Sequence, residues 1–330
     1  MASDSVKEVQ ARFPAYQIWQ EGTPGRIRYV ARGRSLRLSP HAIVTADLDE
    51  LQDRLLSAGD CSEGADPVAA DQPNVARMYS FWLRGKDHLA VDRSAASKVL
   101  ELYPEVADIA CANRAFLARA VHHLADRGIT QFIDLGSGLP ASPNVHETAR
   151  LVTPDARVVY VDWDPVVLAH ARALLATDDK VAVVASDIRD PQGLLADPAL
   201  TSVIDSTAPT GVLLASVLHF LAPAEADASV AAFREWMPPG SYLVISVGTT
   251  TGTDPDLICA LQDAYGDSAS VHGRAADEIA AWFDGLTLVR PGLVDVWAWP
   301  TVTLHRPISS RARILAGAAR KQANRLAWEL

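Results

Sequence analysis

One short stretch, residues 131–139, constrains the fold of this 330-residue chain more than any other. It reads Gln-Phe-Ile-Asp-Leu-Gly-Ser-Gly-Leu, an apolar run that ends in two closely spaced glycines. The apolar run suits a strand buried on both faces, and Gly136 and Gly138 let the backbone turn tightly and approach a ligand closely. Since alternating helical and strand-like segments follow, the stretch predicts the first strand and the ligand-binding turn of a parallel α/β sheet.

The acid in this stretch, Asp134, discriminates between two classes of ligand. A dinucleotide would place a pyrophosphate at the turn, beside a carboxylate that repels it. The cationic amino acid end of S-adenosylmethionine (SAM) can instead use a carboxylate there. Gly136, Gly138 and Ala141 also fit a loose dinucleotide spacing, so the glycines alone do not decide. Asp134 therefore favours SAM, and an NAD-dependent oxidoreductase is the outside alternative.

Two further acids stand where later strands end. Asp162 closes the second predicted strand, where an acid can accept hydrogen bonds from a ribose diol, and Asp187 follows the third. Taken singly, each acid could equally be a helix cap or a turn residue. Three acids in this order predict a nucleoside site, with Asp134 at the amino acid end, Asp162 on the ribose, Asp187 at the adenine amino group, and Trp163 and Ile188 flanking the ring.

The remaining strand-like segments set the fold class. They lie at 211–216, 241–247, 286–290 and 293–297. Only Pro291 and Gly292 separate the last two, too few residues for a parallel crossover, so these two segments are expected to pair antiparallel. The pattern predicts an α/β, Rossmann-like fold, a mostly parallel seven-stranded sheet with a terminal antiparallel hairpin.

Composition excludes some partners. The net charge of −10 argues against nucleic acid binding by the surface as a whole. The three cysteines are far apart and match no metal-binding spacing, which favours a reducing compartment and no metal site. We find neither a leader-like start nor a stretch long and apolar enough to span a membrane, so we expect a cytoplasmic protein.

The chain divides into three predicted parts. Residues 1–66 form a small α+β module with a hairpin over 13–30, a third strand near Leu36 and Leu38, and an acidic helix over 47–56. Its five arginines between Arg26 and Arg37 are either a patch for an anionic partner or, more simply, a solvated strand face. Residues 67–300 form the α/β domain with a helical lid.

Residues 301–330 form the third part, a basic tail that is expected to be an amphipathic helix. Such a helix would pack against the body of the protein or against a second subunit in a homodimer. Binding to a membrane surface is less favoured, because it needs a larger apolar face.

If SAM donates its methyl group to a hydroxyl or an amine, a base is needed to remove a proton from that group, and two histidines are candidates. His219 follows the fourth strand and is either that base or a support for Ser216. His88 lies on the predicted lid. Arg114 is either a surface group or the partner of a ligand carboxylate, and Asn113 beside it is treated as a surface group.

Seven motifs give the chain a resemblance to an actinobacterial S-adenosyl methyltransferase family, formerly a domain of unknown function. The most specific are Leu-x-Gly-Lys-Asp, Ala-Asn-Arg-Ala-Phe-Leu, Asp-x-Gly-x-Gly-Leu-Pro, Val-Tyr-Val-Asp-x-Asp-Pro and Asp-x-Arg-Asp-Pro. All seven lie at 76–79, 83–87, 112–117, 134–140, 159–165, 187–191 and 217–220.

The resemblance implies a class I SAM methyltransferase fold, SAM as cofactor, and a lid formed by Tyr79, Lys86 and Arg114. We expect Ser137 in the turn and Ser216 after the fourth strand to line the same site. Where the family tends to have Tyr-Asp and Asp-Asn, this chain has Ser80 and His88 as the second residue, so the acceptor cannot be carried over from the family.

These observations together predict a SAM-dependent methyltransferase that acts on an oxygen or nitrogen nucleophile of a small molecule or peptide in secondary metabolism. A nucleobase amino group is disfavoured, because no Asn-Pro-Pro-aromatic motif follows the fourth strand. The alternatives are a SAM-dependent enzyme that catalyses cyclisation or alkyl transfer, and a SAM-binding regulatory protein.

Overall fold

The computed structural model describes residues 2–13, 16–23, 26–33, 42–45, 47–60, 72–266, 268–300 and 312–323. The chain forms two compact units, Met1–Ala69 and Ala70–Leu330. No helix in the described part is long and apolar enough to cross a membrane.

The first unit is a three-stranded antiparallel sheet with two helices. Its elements are α1 (Ala2–Arg12), β1 (Tyr16–Thr23), β2 (Arg26–Gly33), β3 (Ala42–Thr45) and α2 (Leu48–Asp60). Ile18, Ile43 and Leu51 are buried in its core. The predicted hairpin and acidic helix are present, whereas Leu36 and Leu38, where a third strand was expected, lie outside the described residues.

The second unit begins with three helices and continues with alternating strands and helices. The helices are α3 (Val75–Trp82), α4 (Ala90–Leu102), α5 (Val106–Ala125), α6 (Val145–Arg150), α7 (Pro165–Leu174), α8 (Pro191–Leu195), α9 (Pro198–Thr201), α10 (Pro223–Trp236), α11 (Pro255–Tyr265) and α12 (Ala276–Ala281). The strands are β4 (Gln131–Leu135), β5 (Arg157–Asp162), β6 (Val181–Ala185), β7 (Gly211–Ala215), β8 (Tyr242–Thr249), β9 (Thr287–Leu288), β10 (Val294–Asp295) and β11 (Arg313–Arg320).

Within the described residues these eight strands, one more than predicted, form one mostly parallel sheet in the order β10-β11-β8-β7-β4-β5-β6, and β9 pairs with β11 off this path. Strands β4 to β8 are parallel, and β11 joins β8 antiparallel. The chain runs outward from β4 through β5 to β6 and then returns to place β7 on the other side of β4. Ligands of open α/β sheets bind at such a reversal, beyond the carboxyl ends of the strands.

Helices pack on both faces of the sheet and bury its central strands. Phe132 and Ile133 of β4 are fully buried and belong to different core clusters, one on each face. This is the burial that an uninterrupted apolar strand requires. Asp134 points to the same face as Phe132, since side chains alternate along a strand.

An ion pair fixes the first helix of this unit to the second. The Arg77 Nε lies 2.7 Å from the Asp92 Oδ2, and both side chains are buried. The other oxygen of Asp92 accepts a 2.9 Å hydrogen bond from the Asn74 N–H. Because a buried charge is stable only when it is paired and hydrogen-bonded, α3 and α4 form a rigid pair.

Two predictions about the end of the chain are wrong. The segments around β9 and β10 do not pair with each other as a hairpin; each pairs antiparallel with β11. The tail is not helical over 313–320, because this segment is β11, paired along its whole length with β8. Residues 301–311 and 324–330 of the predicted helix lie outside the described residues.

Candidate active site

Two loops meet at the carboxyl edge of the sheet, one after β4 and one after β7. Gly136 has φ +68°, and a side chain there would overlap Val217 in the loop after β7. The Gly136 and Ser137 N–H groups both donate to the Val161 carbonyl of β5, at 2.9 and 3.0 Å. The glycine therefore lets the two loops approach each other at the reversal in strand order.

The second glycine of the turn faces open space. Gly138 has φ +64°, and a Cβ added there would meet no atom within 4 Å. Its N–H donates to the Asp162 Oδ2 at 2.9 Å. The Asp162 Oδ1 accepts from the Trp163 and Asp164 N–H groups, so one lone pair of this buried carboxylate stays free for a ligand.

Asp134 is a buried acid at the end of β4. Burial raises the pKa of its carboxyl to about 6; Arg114 opposes this rise and the neighbouring Asp162 adds to it. Asp134, Arg114 and Tyr160 line the same crevice beside the glycine turn. A cationic ligand group would therefore be attracted to this position and would favour the ionised carboxylate.

Arg114 spans the crevice from α5 to the loop after the glycine turn. One of its guanidinium nitrogens donates to the Ala141 and Pro143 carbonyls at 2.6 and 3.0 Å. The crevice beside Asp134 and Gly138 holds about 10 Å³, whereas ligand sites usually need about 300 Å³ or more. The amino acid end of the predicted site is therefore narrow in this structure.

At the predicted adenine end of the site, the Trp163 ring is exposed and the Asp187 carboxylate is already paired. The Trp163 side chain is 68% exposed, which leaves its face free for stacking. Asp187 is bonded through both oxygens to the Arg189 guanidinium, an interaction that lowers the pKa of the Asp187 carboxyl. Ile188 is packed in the core, with only 6% of its surface exposed.

Three polar atoms at this edge are buried without a hydrogen-bond partner in the described part of the chain. They are the Ser137 Oγ in the glycine turn, the Ser216 Oγ after β7, and the His219 Nδ1 in the same loop. Ser216 has φ +56°, a conformation that costs free energy in a residue with a side chain and is often retained at functional sites. Unpaired buried polar atoms around a glycine turn fit a site that a polar ligand completes.

His219 lies in a short 3₁₀ turn, Leu218–Phe220, where its ring packs against that of Phe220, with 4.3 Å between centroids and 59° between the ring planes. Its carbonyl accepts a 2.7 Å hydrogen bond from the His272 N–H, which holds the loop. Burial, with the nearby charge of Arg274, lowers the pKa of the His219 imidazole to about 4. The imidazole is therefore neutral at physiological pH and can accept a proton.

A chain of hydrogen bonds connects the lid to Ser216. The Tyr79 hydroxyl donates to the Ala110 carbonyl and accepts from the Asn113 Nδ2, both at 3.0 Å. The Asn113 Oδ1 accepts from the Ser246 Oγ at 2.6 Å, and this hydroxyl in turn accepts from the Ser216 N–H at 3.1 Å. Asn113 is only 3% exposed, so the expectation that it is a surface group is wrong.

These hydrogen bonds satisfy the Tyr79 hydroxyl. Burial raises the pKa of this hydroxyl to about 12. The Tyr79 hydroxyl is therefore neutral and already paired. Sequence reasoning missed Ser246 because nothing in the apolar strand β8 distinguishes this serine from any other small residue. Asn113 carried a signal, an amide within an otherwise apolar helix face, but its partner could not be predicted.

The other lid residues are exposed or already have partners. Lys86 is exposed and makes no hydrogen bond or ion pair with any described residue. The His88 Nε2 lies 3.1 Å from the Gly85 carbonyl, and its Nδ1 lies 3.3 Å from the Arg93 guanidinium. Ser80 is buried against Gly85. Ser80 lies in α3 and His88 lies between α3 and α4, so both departures from the family pattern fall on the predicted lid.

We expect Ser246→Ala to weaken SAM binding and to lower the free energy of unfolding by about 1–3 kcal/mol. The substitution leaves the buried Asn113 Oδ1 unpaired and removes an acceptor that holds Ser216 in its strained conformation. Calorimetric titration with SAM and thermal unfolding measure the two effects.

Ser241→Ala is the matched control. Ser241 is equally buried, and its hydroxyl likewise accepts from a backbone N–H, that of Thr210 at 3.0 Å, but it lies at the other end of the sheet. It is expected to lower stability without changing SAM affinity. Equal losses of affinity in both variants would show that Ser246 acts through stability alone.

Comparisons with known proteins identify relatives over most of the chain. A family model described as S-adenosyl methyltransferase matches residues 62–322. A candidate methyltransferase from Thermobifida fusca YX is 38% identical, and the match covers 79% of this chain and all of that one with a TM-score of 0.72. A DUF574 family protein from Streptomyces avermitilis MA-4680 is 35% identical over 76% of this chain and 98% of its own, also with a TM-score of 0.72. A comparison with curated proteins finds no match.

These relatives confirm the predicted fold class and the predicted cofactor, SAM. Residues 1–61 lie outside the family match. Within the described residues, no three histidine, cysteine or acidic side chains converge to hold a metal ion.

Proposed function

The chain belongs to the S-adenosyl methyltransferase family, and from this premise we propose that it methylates an oxygen or nitrogen nucleophile of a small molecule or peptide in secondary metabolism. The observation that supports the site most directly is the group of three buried atoms without partners, the Ser137 Oγ, Ser216 Oγ and His219 Nδ1. They lie on the two loops that flank the reversal in strand order, where this fold binds its ligands.

The residues of the site fit SAM, which supplies an electrophilic methyl group on a sulfonium ion. Trp163 offers an exposed ring to the adenine, and Asp162 offers its free lone pair to a ribose hydroxyl. Asp134 attracts the amino group, while Arg114 can exchange its bonds to two carbonyls for a bidentate pair with the carboxylate. Asp187 is already paired with Arg189, so it is expected to contribute to adenine binding less directly than its position in the sequence suggested.

His219 is the proposed base. Its Nδ1 is unpaired and its ring is neutral, whereas both nitrogens of His88 are engaged within the lid. A base beside the methyl position removes the proton that the nucleophile must lose, and the closed lid excludes water that would otherwise compete.

Product analysis tests the proposed reaction. The protein is incubated with SAM and a panel of hydroxyl and amine acceptors, and the adenosyl product is identified by mass spectrometry. S-adenosylhomocysteine supports methyl transfer. Methylthioadenosine would support cyclisation or alkyl transfer, and binding without either product would support a regulatory protein.

We expect SAM affinity to fall as pH decreases from 7 to 5. The pKa of Asp134 is about 6 in the free protein, and a cationic amino group favours the ionised form, so protonation opposes binding. Below the pKa the loss approaches tenfold per pH unit. The charged groups that face this carboxyl are Arg114 and Asp162. Calorimetry at several pH values measures the slope.

Asp134→Asn is the control for this pH dependence, because its amide does not titrate. Its SAM affinity is expected to be weak and nearly independent of pH between 5 and 7. The same slope in the variant and in the natural protein would assign the titration to another group.

We expect Gly138→Ala to weaken SAM binding by about tenfold to a hundredfold. The added methyl group meets no protein atom, but it projects into the crevice that the cofactor must fill, and overpacking costs about 1–3 kcal/mol. An alanine at positive φ also costs about 1–2 kcal/mol of stability.

Gly128→Ala separates these two effects. Gly128 also has positive φ, +83°, and open space around its missing Cβ, but it precedes β4 at the opposite end of the sheet. This variant is expected to lose similar stability and to keep full SAM affinity. A comparable affinity for SAM in the two variants would contradict the proposed position of the cofactor.

A further inference from the structure

Four aromatic side chains form a continuous row beside His219, and we call them the aromatic row: Phe220, Tyr265, Trp82 and Tyr79. Successive ring centroids are 4.3 Å apart from His219 to Phe220, then 6.1, 6.2 and 6.5 Å apart along the row. Trp82 is buried, and the other three residues are partly buried, packed against the core. Aromatic residues beside a catalytic loop suit a planar ligand, because offset and edge contacts between rings add to the apolar burial.

The row is assembled from three separate segments. Tyr79 and Trp82 belong to the lid helix α3, Phe220 to the loop after β7, and Tyr265 to the end of α11. The lid and the loop that carries the base thus contribute to one surface. An acceptor bound there would contact the part of the protein that closes the site and the part that removes the proton.

A buried cation lies near His219. Arg274 is only 3% exposed; its guanidinium donates to carbonyls, among them that of Leu221 at 3.3 Å, and lies over the Trp282 ring, 6.0 Å from its centroid. It forms no ion pair with any acid in the described part of the chain. Its charge reaches His219, where it disfavours a second positive charge. A cationic acceptor group beside His219 would meet the same repulsion from Arg274.

The unpaired nitrogen of His219 specifies the third property of the acceptor. In the tautomer with its proton on Nε2, the buried Nδ1 is a hydrogen-bond acceptor without a donor. A weakly basic imidazole removes a proton most readily from a group that is itself fairly acidic. A phenolic hydroxyl meets this requirement better than an aliphatic alcohol or an ammonium group does.

Resting on the methyl transfer proposed above, we infer that the acceptor is a planar phenol whose ring packs against Phe220 and Tyr265 and whose hydroxyl donates to the His219 Nδ1. The phenol oxygen forms a bond to the methyl carbon as the methyl–sulfur bond breaks and its electron pair passes to sulfur. The phenol proton passes to the His219 Nδ1 and then to solvent. The products are an aryl methyl ether and S-adenosylhomocysteine.

Three probes built on one bicyclic skeleton test this inference on the complex with S-adenosylhomocysteine. Naphthol is planar and acidic, decalol has the same skeleton without aromaticity or acidity, and naphthylmethylamine is aromatic but cationic. Naphthol is expected to bind about tenfold more tightly than either of the others, as measured by calorimetry. Equal or weaker binding of naphthol, or no binding at all, would overturn the inference.

Two variants test whether the aromatic row carries this preference. Tyr265→Leu removes a ring and keeps an apolar side chain, and it is expected to lower the affinity for naphthol about tenfold with no change in the affinity for SAM. Tyr265→Phe restores the ring and is expected to restore most of the naphthol affinity. A loss in Tyr265→Phe as large as in Tyr265→Leu would assign the effect to the hydroxyl and contradict ring packing.

The outcomes for the acceptor and for the reaction are distinguishable. Methylation of amines or aliphatic alcohols in preference to phenols would overturn the acceptor class and leave methyl transfer intact. A protein that binds SAM yet forms no S-adenosylhomocysteine with any class of acceptor would overturn methyl transfer itself.

Discussion

Replacing His219 by Asn is expected to lower kcat by about 100-fold or more for any hydroxyl acceptor, with little change in SAM affinity. General base catalysis contributes about 100- to 10,000-fold, and an amide cannot accept the proton. His219 shares its loop with Ser216, but its ring packs against Phe220 and its Nδ1 has no hydrogen-bond partner among the described residues. Initial rates of S-adenosylhomocysteine formation and calorimetric titration with SAM measure the two quantities.

The other candidate base provides the comparison for this prediction. His88→Asn is expected to retain nearly all of the activity, because both of its ring nitrogens are already engaged, with Gly85 and Arg93. A large loss of kcat in His88→Asn with normal rates in His219→Asn would reverse the assignment. A loss of SAM affinity in His219→Asn equal to its loss of kcat would make His219 a support for the loop.

Asp162→Ala is expected to weaken SAM binding by more than about 100-fold. A hydrogen bond to a charged group contributes about 1.5–3 kcal/mol, and the variant loses the bond to a ribose hydroxyl. It also loses the acceptor of the Gly138 N–H, a bond of 2.9 Å that holds the glycine turn against β5. The two losses act on the same turn, so their combined effect on affinity is about 3 kcal/mol or more.

Asp155→Ala is the matched control, since Asp155 is an exposed acid just before the same strand and pairs only with Lys180. Its SAM affinity and its unfolding temperature are expected to match those of the natural protein, because exposed ion pairs contribute little. Asp162→Ala that keeps micromolar affinity would show that β5 does not hold the ribose.

The centre of the fold could be predicted because its signals are local. The apolar run before Gly136, the two glycines and the acid that ends β5 lie within 32 residues, 131–162, and each acts through its immediate neighbours. A fully buried strand and a turn with positive φ leave few alternatives to apolar residues and glycine.

The last strand could not be predicted from local preference. The segment Arg-Ile-Leu-Ala-Gly-Ala-Ala-Arg of β11 is rich in alanine, leucine and arginine, which are strong helix formers. It is a strand because the edge of β8, Tyr242 to Thr249, offers N–H and C=O groups to all eight residues from Arg313 to Arg320, a tertiary contact that overrides propensity. Because β9 and β10 each pair with β11, they do not pair with each other.

Within the site, the backbone positions were predictable and the partnerships were not. The sequence indicates that Asp187 follows β6, but it does not indicate that Arg189 occupies both of its oxygens. Arg274 was missed because it lies in an irregular loop 55 residues after His219, and only the folded chain brings its charge to that imidazole.

Calorimetric titration of the natural protein with SAM, S-adenosylhomocysteine and NAD tests the central claim most directly, namely that the loops after β4 and β7 form a SAM site. We expect one site per chain with micromolar affinity for SAM and S-adenosylhomocysteine, and no heat of binding with NAD. A protein that unfolds cooperatively, and is therefore folded, but binds neither adenosyl compound would contradict the claim.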